Sequence, residues 1–337
     1  MPDATNLTIV LKSHPVGAPR PADFALVRDP IPKPGAGEVL CRTIYLSLDP
    51  YMRGRISGVR SYAAPVEIGQ VIVGGTVSEV VESNHPRFQR GDVVVGYDGW
   101  QAYAVSNGAG MRTLDRAAAP ISTALGVLGM PGLTAYVGLL DIGRPQRGET
   151  VVVSAASGAV GSIVGQLAKA EGCRAVGTAG TDEKCRYVVD ELGFDACVNY
   201  RQGLPASLAA ACPNGIDVYF ENVGGPVLDA VLALANQGAR IPLCGLISEY
   251  NATSPVPGPN WRPLLAKRIR VQGFIVSDHL DRAPAFLEDL TPRVRDGRLK
   301  YREDVVDGLE NAPAAFIGLL QGKNFGKLIV RVGPEPA

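Results

Sequence analysis

Between Thr150 and Lys184 the chain reads TVVVSAASGAVGSIVGQLAKAEGCRAVGTAGTDEK. Within it, Ala156-Ser157-Gly158-Ala159-Val160-Gly161 is a G-x-G-x-x-G turn with Ala in the first glycine position. The turn follows an apolar strand and opens a helix, the context in which such glycines bind a dinucleotide. Gly158 would let the backbone approach a pyrophosphate, and Gly161 would let the helix pack closely on the strand. The free N–H groups and positive end of that helix would then hold the anion. An NAD site usually has an Asp or Glu about 20 residues after the glycines, bonding the ribose 2′-hydroxyl. Here that region is Thr178-Ala179-Gly180-Thr181, small and neutral, and Lys184 follows. A phosphate on the 2′-oxygen fits this arrangement, so NADP(H) is the expected cofactor. Thr181 or Asp182 is the expected N-cap, which puts Lys184 in the first helical turn. A cation there opposes the helix dipole by about 0.3–1 kcal/mol, a cost that a bound phosphate would offset. The plain alternative is a solvated surface lysine. Asp182 is the competing acid, but it lies past the usual strand end.

The elements that must position these residues come in two kinds. Up to about residue 120 the chain is rich in Gly, Pro and short β-type runs: 38–48, 70–81 and 91–97. Turns at Pro34–Gly37, Arg90–Asp92 and Asp98–Gly99 separate them, as in a barrel or sandwich. After Pro120 strands and helices alternate. Apolar strands are expected at 150–156, 216–221, 239–245 and 268–276, in a doubly wound α/β pattern. Val160, Ile163, Val164 and Leu167 form one stripe of the helix after the glycines. The last strand, 324–332, is expected to return to the first domain. The Pro-rich loop 251–263 is expected to lie over a cleft. Loops beginning at Glu221, Cys244 and Phe274 follow strand C-termini, where open α/β sheets bind ligands.

Composition narrows the partners. The chain has 337 residues, 46% hydrophobic and 20% charged, with 33 basic and 33 acidic side chains. Neither nucleic acid nor an anionic membrane is favoured by that balance. No apolar run is long enough to span a bilayer, and the N-terminus has no secretory pattern. Six scattered cysteines with no C-x-x-C pair fit reduced thiols in a cytoplasm. His14, His85 and His279 show no metal-ligand spacing, so no metal is expected.

Several segments carry a family resemblance: YLSLDPYMRGRI (45–56), GMPGLTAYVGLLDIG (129–143), AASGAVGS (155–162), AGTDEKCRYVVDELGFD (179–195), YFENVGG (219–225), GLISEYN (245–251) and GKNFGKLIV (322–330). They span nearly the whole chain. It resembles the zinc-independent medium-chain dehydrogenase/reductases, in the branch of prostaglandin/leukotriene reductases and alkenal/curcumin double-bond reductases. The resemblance implies a Rossmann-type parallel sheet over 125–309 and a GroES-like β-barrel catalytic domain from 1–124 and 310–337. It implies nucleotide contacts at Gly158, Ala159, Val160, Gly161, Lys184, Tyr200 and Asn222. Further contacts are implied at Cys244, Gly245, Leu246, Ile247, Ser248 and Tyr250, then at Phe274, Ile275, Val276 and Asn324. Thr134 would sit near the nicotinamide. Where zinc members of the superfamily carry Cys and Gly-His-Glu, this chain reads SLDPYM and Gly69-Gln70-Val71. A homodimer is implied, with strand 268–276 available to pair across a two-fold.

Hydride addition to the β-carbon of an enone leaves an enolate. That oxygen needs a hydrogen-bond donor, and the α-carbon then needs a proton. A tyrosine O–H suits both tasks. Of the 11 tyrosines, Tyr51, Tyr62 and Tyr250 are the candidates; most others are packing residues. Arg53 is expected to pin a loop, and Met52 and Trp261 to give the cleft apolar surface. Animal relatives carry a tyrosine in the loop before 268–276, whereas LLAKRIRV has none, so water or Tyr250 is left as the acid. The expected activity is NADPH-dependent reduction of the C=C bond of α,β-unsaturated aldehydes or ketones. A quinone oxidoreductase and a non-catalytic NADPH-binding protein are the alternatives.

Overall fold

Frequent turn residues cut the N-terminal third into short strands. The computed structural model describes residues 5–336, so residues 1–4 and 337 of the expected catalytic domain lie outside it. β1 (Thr5–Leu11) and β2 (Phe24–Pro30) form an antiparallel hairpin. β3 (Val39–Ser47), β4 (Thr76–Ser83), β5 (Val93–Gly96), β6 (Tyr103–Ser106) and β7 (Arg112–Thr113) follow. They form a GroES-like antiparallel sheet in which β3 pairs with both β4 and β6. The strand expected from residue 70 begins only at Thr76, after the Gly74–Gly75 pair. A short helix, α1 (Met52–Arg55), sits just beyond β3.

The rest of the chain alternates. α2 (Met130–Tyr136) leads into β8 (Thr150–Val153), α3 (Gly161–Ala170), β9 (Arg174–Ala179), α4 (Asp182–Asp190) and β10 (Ala196–Asn199). Then come α5 (Leu204–Ala211), β11 (Ile216–Phe220), α6 (Gly225–Leu234), β12 (Ala235–Leu243), α7 (Arg262–Lys267) and β13 (Arg270–Gly273). These six strands lie parallel in the order β10-β9-β8-β11-β12-β13. This is the Rossmann order, and it reverses between β8 and β11, opening a crevice at their C-terminal ends. β8 is buried throughout because helices cover both faces. On one side Ile163, Val164 and Leu167 of α3 share a core with Phe286 and Leu290 of α8 (Ala283–Arg295). On the other, Leu208 of α5 and Val231 of α6 close over Val152 and Tyr219.

The chain then returns to the first sheet. β14 (Glu303–Asp307) and β15 (Lys327–Arg331) flank α9 (Ala312–Leu320). β15 pairs with β14 on one side and β3 on the other. β14 lies before the expected division at 309 yet belongs to this sheet, so the crossing falls ahead of Glu303. Lys327, at the start of β15, is only 4% exposed. Its ammonium donates to Asp49 Oδ1 at 2.9 Å and to the Leu48 carbonyl at 2.8 Å. The Ser47 hydroxyl donates to the other oxygen of Asp49.

Removing one partner of such a buried pair leaves an uncompensated charge, at about 3–5 kcal/mol. Lys327→Met should therefore lower the urea-unfolding free energy by about that much. Adding Asp49→Asn should recover part of it. Strictly additive losses would show that the two charges do not support each other.

Candidate functional site

The nucleotide half of the site is built at the sheet reversal. β8 ends in a turn where Ala155 takes a left-handed φ of +52°, a conformation that costs a non-glycine residue about 1–2 kcal/mol. Strain of that kind is kept where the turn itself has a use. A Cβ at Gly161 would lie 2.4 Å from the Ala155 carbonyl oxygen, so only glycine lets α3 start this close to the strand. A Cβ at Gly158 would meet just that same oxygen, at 3.1 Å, with open space beyond. α3 begins at Gly161 without a capping side chain, which leaves its first amides suited to an anion. Gly158 is bridged to Gly326, just before β15. The neighbouring Asn324 donates to the Gly326 carbonyl at 2.8 Å. The segment holding Asn324 thus lies directly across the glycine turn.

At the end of β9 the Thr181 hydroxyl accepts from the Lys184 N–H at 3.2 Å, which makes Thr181 the N-cap of α4. Lys184 occupies the first turn, as its spacing implied. Its ammonium donates to the Gly322 carbonyl at 2.8 Å and stands 6.0 Å from the Phe325 ring. An ammonium has three donors, so this bond leaves capacity for a phosphate. Burial, and then the nearby Arg201 guanidinium, hold the Lys184 pKa below its usual value. An anion between the two cations would relieve that repulsion. The Tyr200 hydroxyl covers Gly180, 2.8 Å from where a Cβ would stand. Asp182, the competing acid, accepts from Asn199 Nδ2 at 2.7 Å beyond the strand end. The donor set therefore fits a 2′-phosphate better than a free ribose hydroxyl.

Between the two halves lies a carboxylate whose role the sequence did not disclose. Glu221 is fully buried. Its Oε1 accepts from the Tyr219 hydroxyl at 2.8 Å, the Ser154 hydroxyl at 3.1 Å, and the Val223 and Gly224 amides at 2.6 and 2.9 Å. Asn222 completes the clamp: its amide donates to Ser154 Oγ and its side chain to the Ser154 carbonyl, each at 2.9 Å. The next loop docks on this one, with Ile247 N–H on the Asn222 carbonyl and Ser248 N–H on the Val223 carbonyl, at 3.2 and 3.1 Å. Cys244 to Tyr250 are thereby brought to Asn222. Phe274 and Val276 pack on the core, Phe274 edge-on to Phe220 at 6.2 Å. The Thr134 hydroxyl donates to its own helix, at the Met130 carbonyl, 2.8 Å away. A signal for Glu221 existed: a carboxylate at the end of an apolar strand, followed by amides free to bond it.

The three candidate tyrosines lie on different segments. Tyr51 packs against the β-domain core, Tyr62 lies in the exposed segment after α1, and Tyr250 ends the loop docked on Asn222. Burial raises the pKa of all three phenols, so each keeps its proton near neutrality. Asp49 and Tyr97 raise Tyr51 further. Tyr97, after β5, was not anticipated, because nothing in its local sequence sets it apart. The Tyr250 hydroxyl stands 2.9 Å from where a Cβ on Gly245 would be. Arg53 does pin a loop: it donates to Asn251 Oδ1 at 3.0 Å and to the Gly17 carbonyl at 2.8 Å. That holds the start of the Pro-rich loop against the N-terminal segment. Met52, expected in the cleft, is instead wholly buried in the β-domain core, since its position in α1 turns it inward. Trp261 is 64% exposed at the start of α7. Among the described residues no three His, Cys, Asp or Glu side chains gather as a metal-ligand set.

Comparison with known proteins gives the same layout. Residues 8–114 match the family model of the N-terminal domain of oxidoreductases, and 159–291 match that of zinc-binding dehydrogenases. An NADPH-dependent curcumin reductase of Escherichia coli is 56% identical, over 97% of this chain and 96% of its own. A 2-alkenal reductase (NADP(+)-dependent) of Nicotiana tabacum is 42% identical, over 99% of each chain. The crystal structure of CurA from Vibrio vulnificus in complex with NADPH superposes with a TM-score of 0.94 at 55% identity, covering 98% of this chain and 100% of the other.

A charge-assisted bond to the 2′-phosphate is worth about 1.5–3 kcal/mol, or about 10–100-fold in affinity. Lys184→Ala should weaken NADPH binding by that factor and leave NADH binding nearly unchanged, as read by fluorescence titration. Equal losses for both nucleotides would remove the phosphate role.

Proposed function

The chain belongs to the zinc-independent medium-chain dehydrogenase/reductases, in the branch of curcumin, alkenal and prostaglandin reductases, and from that premise we propose how it works and on what. It is an NADP-dependent oxidoreductase that reduces activated C=C bonds. The proposed substrates are α,β-unsaturated aldehydes and ketones, including conjugated aromatic ones. The observation that supports this reading is the loop Cys244–Tyr250, docked on Asn222 at the sheet reversal with the Tyr250 hydroxyl folded over Gly245. Bound NADPH supplies the hydride, which goes to the β-carbon. The chain's own groups do the rest. Gly158 to Gly161 and the start of α3 hold the pyrophosphate, and Lys184 and Tyr200 the adenosine end. Asn222 and the 244–250 loop, ordered by Glu221, set the depth of the ring, with Thr134, Phe274 to Val276 and Asn324 around it. The Tyr62 and Tyr250 hydroxyls donate to the substrate oxygen as it gains enolate charge. Tyr250 or water then delivers the α-proton, and Tyr51 borders the substrate.

A homodimer is proposed through β13. That strand ends the parallel sheet, and all four of its residues are exposed. A bare edge of unpaired N–H and C=O groups is a template for a second strand. Leu265 of the adjacent α7, 83% exposed, extends the apolar surface. Six scattered cysteines, all free, support a place in the cytoplasm.

Two measurements bear on these proposals. With NADPH oxidation followed across enones, quinones and saturated ketones, the highest kcat/KM should fall on the enones. Tyr250→Phe should lower kcat by about 10²–10³, the usual effect of losing an oxyanion donor. Quinones turned over faster than every enone would favour quinone reduction. NADPH binding with no turnover would favour a binding protein. In gel filtration the wild type should run at twice the 35.4 kDa of the chain, and Val271→Asp should run as a monomer. A monomeric wild type would overturn the dimer.

A further inference from the structure

Phe325 lies in the segment 322–326 that joins α9 to β15, and its ring leaves the β-domain. Gly326 has a φ of +89°, and a Cβ there would collide with the Arg302 carbonyl oxygen. Only glycine lets the chain enter β15 this close to Arg302, and the Lys327 N–H donates to that same carbonyl at 2.9 Å. The Phe325 N–H donates to Asp304 Oδ2 at 3.1 Å. With its backbone held in the β-domain, Phe325 packs its ring on α4 of the Rossmann domain. It meets the Tyr187 ring edge-on, with centroids 4.9 Å apart at 84°. The Arg302 guanidinium covers the Phe325 ring at 3.9 Å from its centroid and reaches the Tyr187 ring at 5.9 Å.

Tyr187 and Lys184 are three residues apart on α4, so their side chains share a face. The Lys184 ammonium stands 6.0 Å from the Phe325 ring and donates to the Gly322 carbonyl at 2.8 Å. α4 therefore grips the segment at two points, through a charged donor at Gly322 and through a ring at Phe325. Between them is Asn324, whose side chain donates to the Gly326 carbonyl at 2.8 Å, and Gly326 is bridged to Gly158 of the glycine turn. A continuous path of contacts thus runs from Lys184 through Phe325 to the turn expected to hold the pyrophosphate. A path of contacts is not yet coupling, so the two need separate readouts.

We propose that Phe325 is a positioning residue for NADPH. It fixes the segment 322–326 on α4, so that a 2′-phosphate on Lys184 orders Asn324 and Gly326 against the glycine turn. The ammonium has three donors, enough to keep the Gly322 carbonyl and take the phosphate as well. The phosphate then immobilises the lysine, the lysine immobilises Gly322, and the Phe325 ring stops the rest of the segment from swinging away. Discrimination between NADPH and NADH accordingly depends on a side chain that carries no charge. This second half rests on the NADP(H) reading of the site, whereas the anchoring of the segment does not.

Hydrogen–deuterium exchange on the full-length protein reads the anchor without any nucleotide. The amides of 322–327 should exchange faster in Phe325→Ala than in the wild type, and Phe325→Tyr, which keeps the ring, should restore slow exchange. Adenosine 2′,5′-bisphosphate should slow these amides in the wild type while 5′-AMP does not, and that difference should vanish in Phe325→Ala. By fluorescence titration Phe325→Ala should bind NADPH about tenfold more weakly, the scale of one aromatic and one cation–π contact, with NADH much less affected. In turnover the KM for NADPH should rise by a similar factor while kcat changes by less than about twofold, the mark of lost uniform binding. Tyr187→Leu should reproduce these losses from the α4 side, and the double variant should lose no more than either alone. Unaltered exchange in ligand-free Phe325→Ala and Tyr187→Leu would overturn the anchor. Faster exchange with equal losses of NADPH and NADH affinity would overturn the coupling to the 2′-phosphate. A wild type that binds NADPH and NADH equally would overturn the NADP(H) reading and this second half with it, and would leave the anchor standing.

Discussion

The buried bond between Lys327 and Asp49 ties the end of β3 to the start of β15 within the β-domain. Asp49 begins the short segment that carries Tyr51 and Arg53. Lys327 begins β15, and the residues just before it lie across the glycine turn through Gly326 and Gly158. The pair therefore holds the segment of Tyr51 and Arg53 close to the one that lies across the glycine turn. Isolated, such a pair would be costly to bury. Here the Leu48 carbonyl and the Ser47 hydroxyl satisfy the remaining donor and acceptor capacity, and the site gains a fixed distance between its parts.

The nucleotide side depends on a different economy of charge. No acid at the end of β9 points at a ribose hydroxyl, and the nearest, Asp182, is held by Asn199. Lys184 and Arg201 instead leave positive charge near a helix N-terminus, where it is least welcome without an anion. Glu221 works in the opposite sense. One oxygen of its carboxyl accepts from two backbone amides and two hydroxyls, and so shapes the loop after β11.

Much of this was legible in the residues. The period of apolar runs disclosed the parallel sheet, and the glycine spacing disclosed the turn, because only glycine avoids the Ala155 carbonyl at position 161. A cap at Thr181 or Asp182, with Lys184 in the first turn, followed from side-chain chemistry, and the structure selects Thr181. What was not legible depends on contacts distant in sequence. Asp49 meets Lys327 only after the sheet closes, and β14 shows its allegiance only by pairing with β15. Met52 was misplaced because a four-residue helix has no periodicity to reveal its inward face.

The central claim is that hydride reaches the β-carbon of a conjugated substrate. Its most direct test is the position of the label when an enone is reduced with NADPH deuterated at nicotinamide C4. The product should be a saturated ketone or aldehyde with deuterium on the β-carbon and a solvent-derived proton on the α-carbon, both read by NMR. An allylic alcohol with deuterium on the former carbonyl carbon would contradict it.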